Sequence, residues 1–244
     1  VMENWYKDWF SSEEYFNVYN HRDLSDARLL GELILRETRL EKNGLILDAA
    51  CGFGRHALFF ASKGYDVVGF DLSKLFLDRA RKEAAESNLN IKLIRADIRR
   101  ICFKARFDII LNLFTSFGYF ESDDENFSFL ERSYDFLKTG GWYVFDYLNK
   151  TYLENNLEEK TVRKINGAII TEKRRIGKDR VIKEIIIDYG GNRKTFYESV
   201  KLYDSKTLQK KFEQIGYKLV NLYGDYNGNS YAEDTPRLIM FLKK

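Results

Sequence analysis

Three carboxylates stand at comparable places along the chain. Asp48 stands at the end of the apolar run "LILDA", Asp71 closes "DVVGFD" and Asp97 closes "IKLIRAD". Between the first two lies a turn with two closely spaced glycines, Gly52 and Gly54, in "LILDAACGFGRH". Gly52-x-Gly54-x-x-Ala57 satisfies a dinucleotide fingerprint, and Asp71 follows Gly52 by 19 residues, close to the roughly 20 expected for a ribose-binding acid. A pyrophosphate needs positive potential at the start of a helix. Asp48 opposes it, because two like charges about 4 Å apart repel by roughly 4 kcal/mol at an effective dielectric of 20. A carboxylate there suits a ligand with a cationic head.

The methionine portion of S-adenosylmethionine carries an ammonium group and a sulfonium, and no phosphate. Gly52 and Gly54 let the backbone come close to such a ligand. Asp71 can accept from both ribose hydroxyls and Asp97 from the adenine amino group. Three acids at three successive strand ends thus match the three polar parts of one ligand. Two other readings stay open. An NAD-dependent oxidoreductase fits the glycines but is opposed by Asp48 and Asp97. A non-catalytic S-adenosylmethionine-binding protein also fits, since methyl transfer from an activated donor needs positioning more than a dedicated acid or base.

The elements that must carry these acids alternate. Near-continuous apolar strands ("LILDA", "DVVGFD", "IKLIRAD", "FDIILNLF", "WYVFDYL") are separated by helical patterns, which implies a parallel sheet covered on both faces. Ser25 is the expected cap of a helix over 25–40, and Ser73 caps "KLFLDRARKEAAES". "RHALFFASKG" should stop at Gly64, and a helix from Ser122 to Lys138 should stop at Gly140-Gly141. Ser205 is the expected cap of "KTLQKKFEQIG", followed by the strands "YKLVNLY" and "RLIMFLK". Residues 160–203 read differently, as alternating strands broken by Asn166-Gly167, Gly177-Lys178-Asp179 and Gly190-Gly191-Asn192. This antiparallel meander of three or four strands holds 12 Lys/Arg against 5 Asp/Glu. A solvated outer face explains that balance, and attraction of an anionic substrate is the functional alternative. The expected organisation is one cofactor-binding domain from 1–149 and 204–244, with an aromatic N-terminal helical flap, and an inserted antiparallel β lid over 150–203.

The stretch from Leu45 to Leu148 resembles the core of the class I S-adenosylmethionine-dependent methyltransferases. "LDAACGFGRH" stands for their first motif, usually closer to "LDLGCGTGRH". "VVGFDLS" resembles the ribose-binding strand and "IRADI" the adenine-binding one. Ala50 departs from the family, which commonly has a glycine there. The turn is therefore expected to differ slightly, or Ala50 to sit at negative φ. A small microbial subgroup of undefined substrate matches further, through Trp5, Tyr6, Trp9 and Phe10, through "NLFTSFGYF" from Asn112 to Phe120, and through the segment from Gly224 to Arg237. The resemblance implies an α/β, Rossmann-like doubly wound sheet of strand order 3-2-1-4-5-7-6 with the last strand antiparallel. It also implies that Asn112 and Leu113 offer backbone groups to the methionine portion. Leu72 would pack on the adenine and Ile98 hydrogen-bond it through its N–H. Ala50, Phe53 and Arg55 belong to the cofactor turn, with Arg55 in reach of the methionine carboxylate.

Ligands of parallel α/β sheets sit beyond the carboxyl ends of the strands. That places the N-terminus, "FTSFGYF", the meander and "GDYNGNSYAEDTP" around the acceptor. Tyr6, Tyr15, Tyr19, Phe117, Tyr119, Tyr147 and Tyr226 are the expected lining. Such rings favour an apolar or ring-containing acceptor, or exclude water from a sulfonium. If a proton must leave the acceptor, Tyr19, His21 or Asp225 is in the expected place to take it.

Composition narrows the classes further. The chain has 244 residues, 44% hydrophobic and 32% charged, with a net charge of +3, which disfavours nucleic acid as a partner. The base-methylating motif with two prolines is missing after the fourth strand, which reads "NLFTSF". Cys51 and Cys102 with His21 and His56 build neither a disulfide framework nor a metal site, and fit a reducing cytoplasm. No apolar run approaches the roughly 20 residues needed to cross a membrane, and "VMENWYKDWF" does not read as a secretory signal. The expected partner is a small-molecule methyl acceptor.

Overall fold

The computed structural model describes residues 4–19 and 24–244. Two short aromatic helices, α1 (Trp5–Trp9) and α2 (Glu14–Tyr19), precede α3 (Leu24–Thr38). Strands and helices then alternate as β1 (Leu45–Ala49), α4 (Arg55–Ser62), β2 (Asp66–Asp71), α5 (Lys74–Glu86), β3 (Ile91–Arg95), β4 (Phe107–Asn112), α6 (Asp123–Phe136) and β5 (Leu137–Leu148). A short helix, α7 (Lys150–Asn155), leads into β6 (Lys160–Ile165), β7 (Ala168–Ile176), β8 (Arg180–Asp188) and β9 (Arg193–Lys201). The chain then forms α8 (Ser205–Ile215), β10 (Lys218–Tyr223) and β11 (Arg237–Lys243).

The central sheet has the order β3-β2-β1-β4-β5-β11-β10. The first five strands are parallel, and β11 runs antiparallel to both β5 and β10. This is the order that the resemblance implies. Alternate residues of a strand face opposite sides, and here both sides are apolar. Leu47, Ile110 and Phe145 pack with Phe129 of α6 and Phe212 of α8. Ile46, Ile109 and Val144 pack on the other side with Leu30 of α3 and Phe60 of α4. Ser73 caps as expected, accepting the Phe76 N–H at 3.2 Å, and Ser122 caps the helix that follows it, accepting the Glu125 N–H at 3.1 Å. Among the described residues no helix is long and apolar enough to cross a membrane.

Several local expectations are corrected. Ser25 lies inside α3, which already begins at Leu24. Asp204 caps α8 in place of Ser205, its carboxylate accepting the Thr207 N–H at 2.7 Å. The helix from Ser122 ends at Phe136, and Leu137 pairs with Phe107. Gly140 and Gly141 therefore belong to β5, where they exchange hydrogen bonds with Lys244 at 3.1 Å. A distant strand end supplies the partners that a longer helix would have needed.

Residues 160–201 form a separate sheet of order β6-β7-β8-β9, antiparallel throughout. Its inner face meets α1 and α2. The Trp9 and Phe196 rings lie 4.6 Å apart, and Trp9 Nε1 donates to Glu198 at 2.8 Å. Arg180 ties the same sheet to the loop after β4. Its guanidinium donates to the carbonyls of Gly118, Tyr119 and Phe120 at 3.3, 3.2 and 3.1 Å. Gly118 sits at φ +84°, and a Cβ there would stand 2.9 Å from the Lys201 carbonyl, so the two backbones meet at this glycine.

Candidate functional site

A cavity of about 430 Å³ opens at the carboxyl ends of β1, β2 and β4. That is the end of the sheet where doubly wound folds bind ligands. Asp48 stands on its floor at 2% exposure, accepting the Ala57 N–H at 3.1 Å. Burial pushes its carboxyl up to about 7. Asp71 accepts the N–H groups of Gly52 and Ser73, both at 2.8 Å, and burial pushes its carboxyl up to about 6. Neither acid has a cationic side chain in hydrogen-bond contact among the described residues.

The turn between them is tightly wound. Ala50, Gly52 and Gly54 all take positive φ, at +53°, +55° and +79°. Ala50 thus adopts the left-handed region in spite of its Cβ, which overturns the expectation of a negative φ. Such a conformation costs a side-chained residue about 1–2 kcal/mol. Ala50→Gly should therefore stabilise the protein by about 1 kcal/mol, part of the gain being offset by the freer unfolded chain. Urea unfolding checks this, and a loss of stability would refute the strain. Gly54 lies outside the cavity wall. A Cβ there would stand 3.1 Å from the Ala80 Cβ, so Gly54 serves the contact between α4 and α5.

Asp97 lies two residues beyond β3 and lines the cavity. Arg99 grips it through three side-chain contacts of 2.7 to 3.2 Å and donates its N–H at 2.9 Å. Arg99 also reaches Glu125 at 2.6 Å and covers the Phe120 ring at 4.6 Å. Despite partial burial, the Arg99 contacts hold the Asp97 carboxyl below its ordinary value. Leu72 and Ile98 line the same end.

The loop after β4 forms the opposite wall. Phe114 and Thr115 both take positive φ, +58° and +63°. Asp146 of β5, fully buried at 0% exposure, holds them there. Its Oδ2 accepts the Phe114 N–H at 2.9 Å and its carbonyl the Thr115 N–H at 3.0 Å. Arg237 lies 2.7 Å from Asp146 Oδ1 and donates to Thr115 Oγ1 at 3.0 Å. The Tyr226 hydroxyl donates to Asp146 Oδ2 at 3.1 Å. Phe114, Thr115 and Arg237 all line the cavity.

Most sequence-derived site residues meet at this cavity. Ala50, Gly52, Phe53 and Arg55 line it at the turn, and Asn112 and Leu113 at the end of β4. Tyr6, Tyr15, Phe117 and Tyr119 line it from above. Besides Gly54, four others stand off it. Tyr19 binds Glu198 and Lys183. Tyr147 is buried against the Lys201 carbonyl, and Tyr226 is spent on Asp146. Asp225 closes its own turn, accepting the N–H groups of Asn227 and Asn229 at 3.0 Å. His21 lies outside the described residues. Sequence reasoning passes over Asp146, Arg99, Arg180 and Glu198. For Asp146 a signal was available, since an acid inside the apolar run "WYVFDYL" must be paired if the strand is buried.

The floor also tests which ligand fits. Asn112 Oδ1 is buried with no hydrogen-bond partner among the described residues. The strand register places it one residue past Leu111, the partner of Asp48. An unsatisfied buried acceptor in the same cavity as two carboxylates calls for a donor with positive charge. An ammonium group meets that need, and a pyrophosphate does not.

Known proteins point the same way. Residues 46–141 match the family described as Methyltransferase domain. YqeM of Bacillus subtilis (strain 168), named for a methyltransferase, is 32% identical over 111 residues, 45% of this chain and 44% of YqeM. The chain thus spans less than half the length of that relative. Glycine/sarcosine N-methyltransferase of Aphanothece halophytica is 24% identical over 226 residues, 88% of this chain and 81% of that enzyme. The fold is that of an S-adenosylmethionine-dependent methyltransferase from Clostridium acetobutylicum ATCC 824, with a TM-score of 0.82 at 18% identity, covering 94% of this chain and 97% of that one. Residues 46–141 thus match a methyltransferase domain, and the chain has the fold of S-adenosylmethionine-dependent methyltransferases.

Proposed function

We propose that this protein moves a methyl group from S-adenosylmethionine to an O or N atom of a small-molecule acceptor by in-line displacement. The observation that carries the reading is the floor of the cavity, where Asp48, Asp71, Asp97 and the unsatisfied Asn112 oxygen converge. Asp48 and Asn112 hold the ammonium group, Asp71 the ribose hydroxyls and Asp97 the adenine amino group. The Ile98 N–H and the Leu72 side chain fix the adenine ring, and Arg55 meets the methionine carboxylate. The cofactor supplies a methyl group already activated on sulfur. The chain supplies alignment and exclusion of water, through Tyr6, Tyr15, Phe117 and Tyr119. Rings around a cation contribute about 0.5–2 kcal/mol each. Tyr19 and Asp225 are committed to the contacts above, so alignment carries the rate. Two unpaired thiols, Cys51 and Cys102, favour a cytoplasmic location.

Methyl-labelled cofactor incubated with the protein and a metabolite extract tests the reaction, with products read by mass. A labelled metabolite is the expected result. Retention of NAD with no retention of S-adenosylhomocysteine would overturn it.

Acidity should matter in a defined direction. In an unfolded chain both aspartates titrate near pH 4, whereas in the fold Asp48 titrates at about 7 and Asp71 at about 6. Between those values the folded protein binds more protons than the unfolded chain. These two acids therefore contribute stability at the acid side of this window that is lost as pH rises through it, and buried His56, pushed down to about 3, opposes them in part. Cofactor binding runs the other way, because an ammonium group selects the ionised Asp48. The affinity for S-adenosylhomocysteine should fall roughly tenfold between about pH 7.5 and about pH 6, with proton release on binding. Calorimetry in buffers of different ionisation heat measures both.

A further inference from the structure

The lid sheet closes the cavity with charge as well as bulk. Glu172 of β7 is 4% exposed and sits among three cations, Arg174 at 2.7 Å, Arg163 at 3.3 Å and Lys183 at 3.8 Å. Thr161 Oγ1 donates to the same carboxylate at 2.9 Å. Arg174 and Lys183 are direct partners across β7 and β8, and both line the cavity, whereas Glu172 does not. Like charges set opposite each other across two strands destabilise a sheet. Glu172 stands behind this pair and holds it together. Lys183 is also paired with Glu198 at 2.7 Å. Val181, Val200 and Leu148 line the wall nearby, so the two cations face a partly apolar space. Arg174 brings a planar fork and Lys183 a compact charge, the two side chains suited to an anionic oxygen group.

We propose that Arg174 and Lys183 bind a carboxylate or phosphate of the methyl acceptor, so that the substrate is an anionic small molecule. The proposal rests on the methyl-transfer reading above and names the substrate class for it. The sheet's basic composition then acts at its inner face, where, among the described residues, three cations, Arg163, Arg174 and Lys183, meet only two carboxylates, Glu172 and Glu198, and an arriving anion balances the excess. Specificity follows from the same geometry, because a neutral acceptor of equal shape would leave that excess positive charge unbalanced.

The full-length protein should be titrated with inorganic phosphate and, separately, with acetate, with and without S-adenosylhomocysteine, against chloride of matched ionic strength. At least one of the two anions should raise the melting temperature beyond chloride, and Lys183→Met should lose at least half of that rise. Arg174→Lys keeps the charge but removes the fork, and carries the test if Lys183→Met does not fold. No response to either anion beyond chloride, or a full response in the folded variants, overturns the proposal. Products labelled from an extract should be retained on an anion exchanger, and alkaline phosphatase then separates phosphate from carboxylate acceptors. Labelled products that are all neutral or cationic overturn the anionic acceptor while leaving methyl transfer intact. Failure of the wild-type protein to bind S-adenosylhomocysteine strikes the methyl-transfer reading instead.

Discussion

Asp71→Ala is expected to weaken S-adenosylhomocysteine binding by at least about a hundredfold, because each hydrogen bond to a charged group contributes about 1.5–3 kcal/mol. The ribose would lose two such bonds. The effect has a second source in the protein itself. Asp71 anchors both the cofactor turn and the start of α5, through the N–H groups of Gly52 and Ser73 at 2.8 Å. Alanine leaves both groups without that acceptor. Asp71→Asn separates the two sources, since its amide oxygen still serves one N–H while its NH₂ cannot accept from a hydroxyl. An intermediate loss is expected for it. Titration calorimetry reads the result, with circular dichroism to confirm folding. Binding within threefold of wild type in a folded Asp71→Ala protein would remove this residue from the cofactor site.

The largest effect on stability is expected at Asp146. Removing one partner of a buried ion pair typically costs about 3–5 kcal/mol, because the other charge is left uncompensated. Asp146→Ala would take the carboxylate away from Arg237 and from the N–H of Phe114, a residue held at positive φ, while the main-chain carbonyl at 146 still accepts the Thr115 N–H. Urea unfolding should show that loss. Asp146→Leu combined with Arg237→Met should recover part of it, since an apolar pair strands no charge. A change below about 1 kcal/mol for Asp146→Ala would mean that the loop after β4 holds its own shape.

The sheet was readable in the sequence because its strands are short apolar runs ending in an acid or a turn. Period and punctuation are local properties. The strand order came from the resemblance, and the pairing of β11 between β5 and β10 agrees with it. Features made by distant partners were not readable. Ser205 and Asp204 are both good caps, and only the backbone path chose between them. The end of β5 near Gly140 depends on Lys244, more than 100 residues away in the chain. Tyr147 and Tyr226 lie on segments that border the cavity, yet their hydroxyls turn into the fold to satisfy a carbonyl and a carboxylate. The acids at the strand ends were legible for the opposite reason, since strand direction alone places them at one edge. Of the two alternatives for Ala50, negative φ failed because the surrounding turn overrides the steric preference.

The segment that carries β6 to β9 leaves the central sheet after β5 and returns to it through Asp204 and α8. The Asp204 carboxyl is held low first by the Thr207 N–H, and the Lys150 charge also acts on it. The charges at the two ends of this long insertion therefore act on one another. Such an insertion behaves as an exchangeable cassette, because a replacement needs only to bridge Lys150 and Asp204 while the floor with Asp48 and Asp71 stays untouched. Two fittings limit the exchange. Any new cassette must supply its own counterpart to Arg180 on the loop of Gly118 and its own acceptor for the Trp9 indole. A graft that respects both would recombine one methyl donor site with a different choice of acceptor.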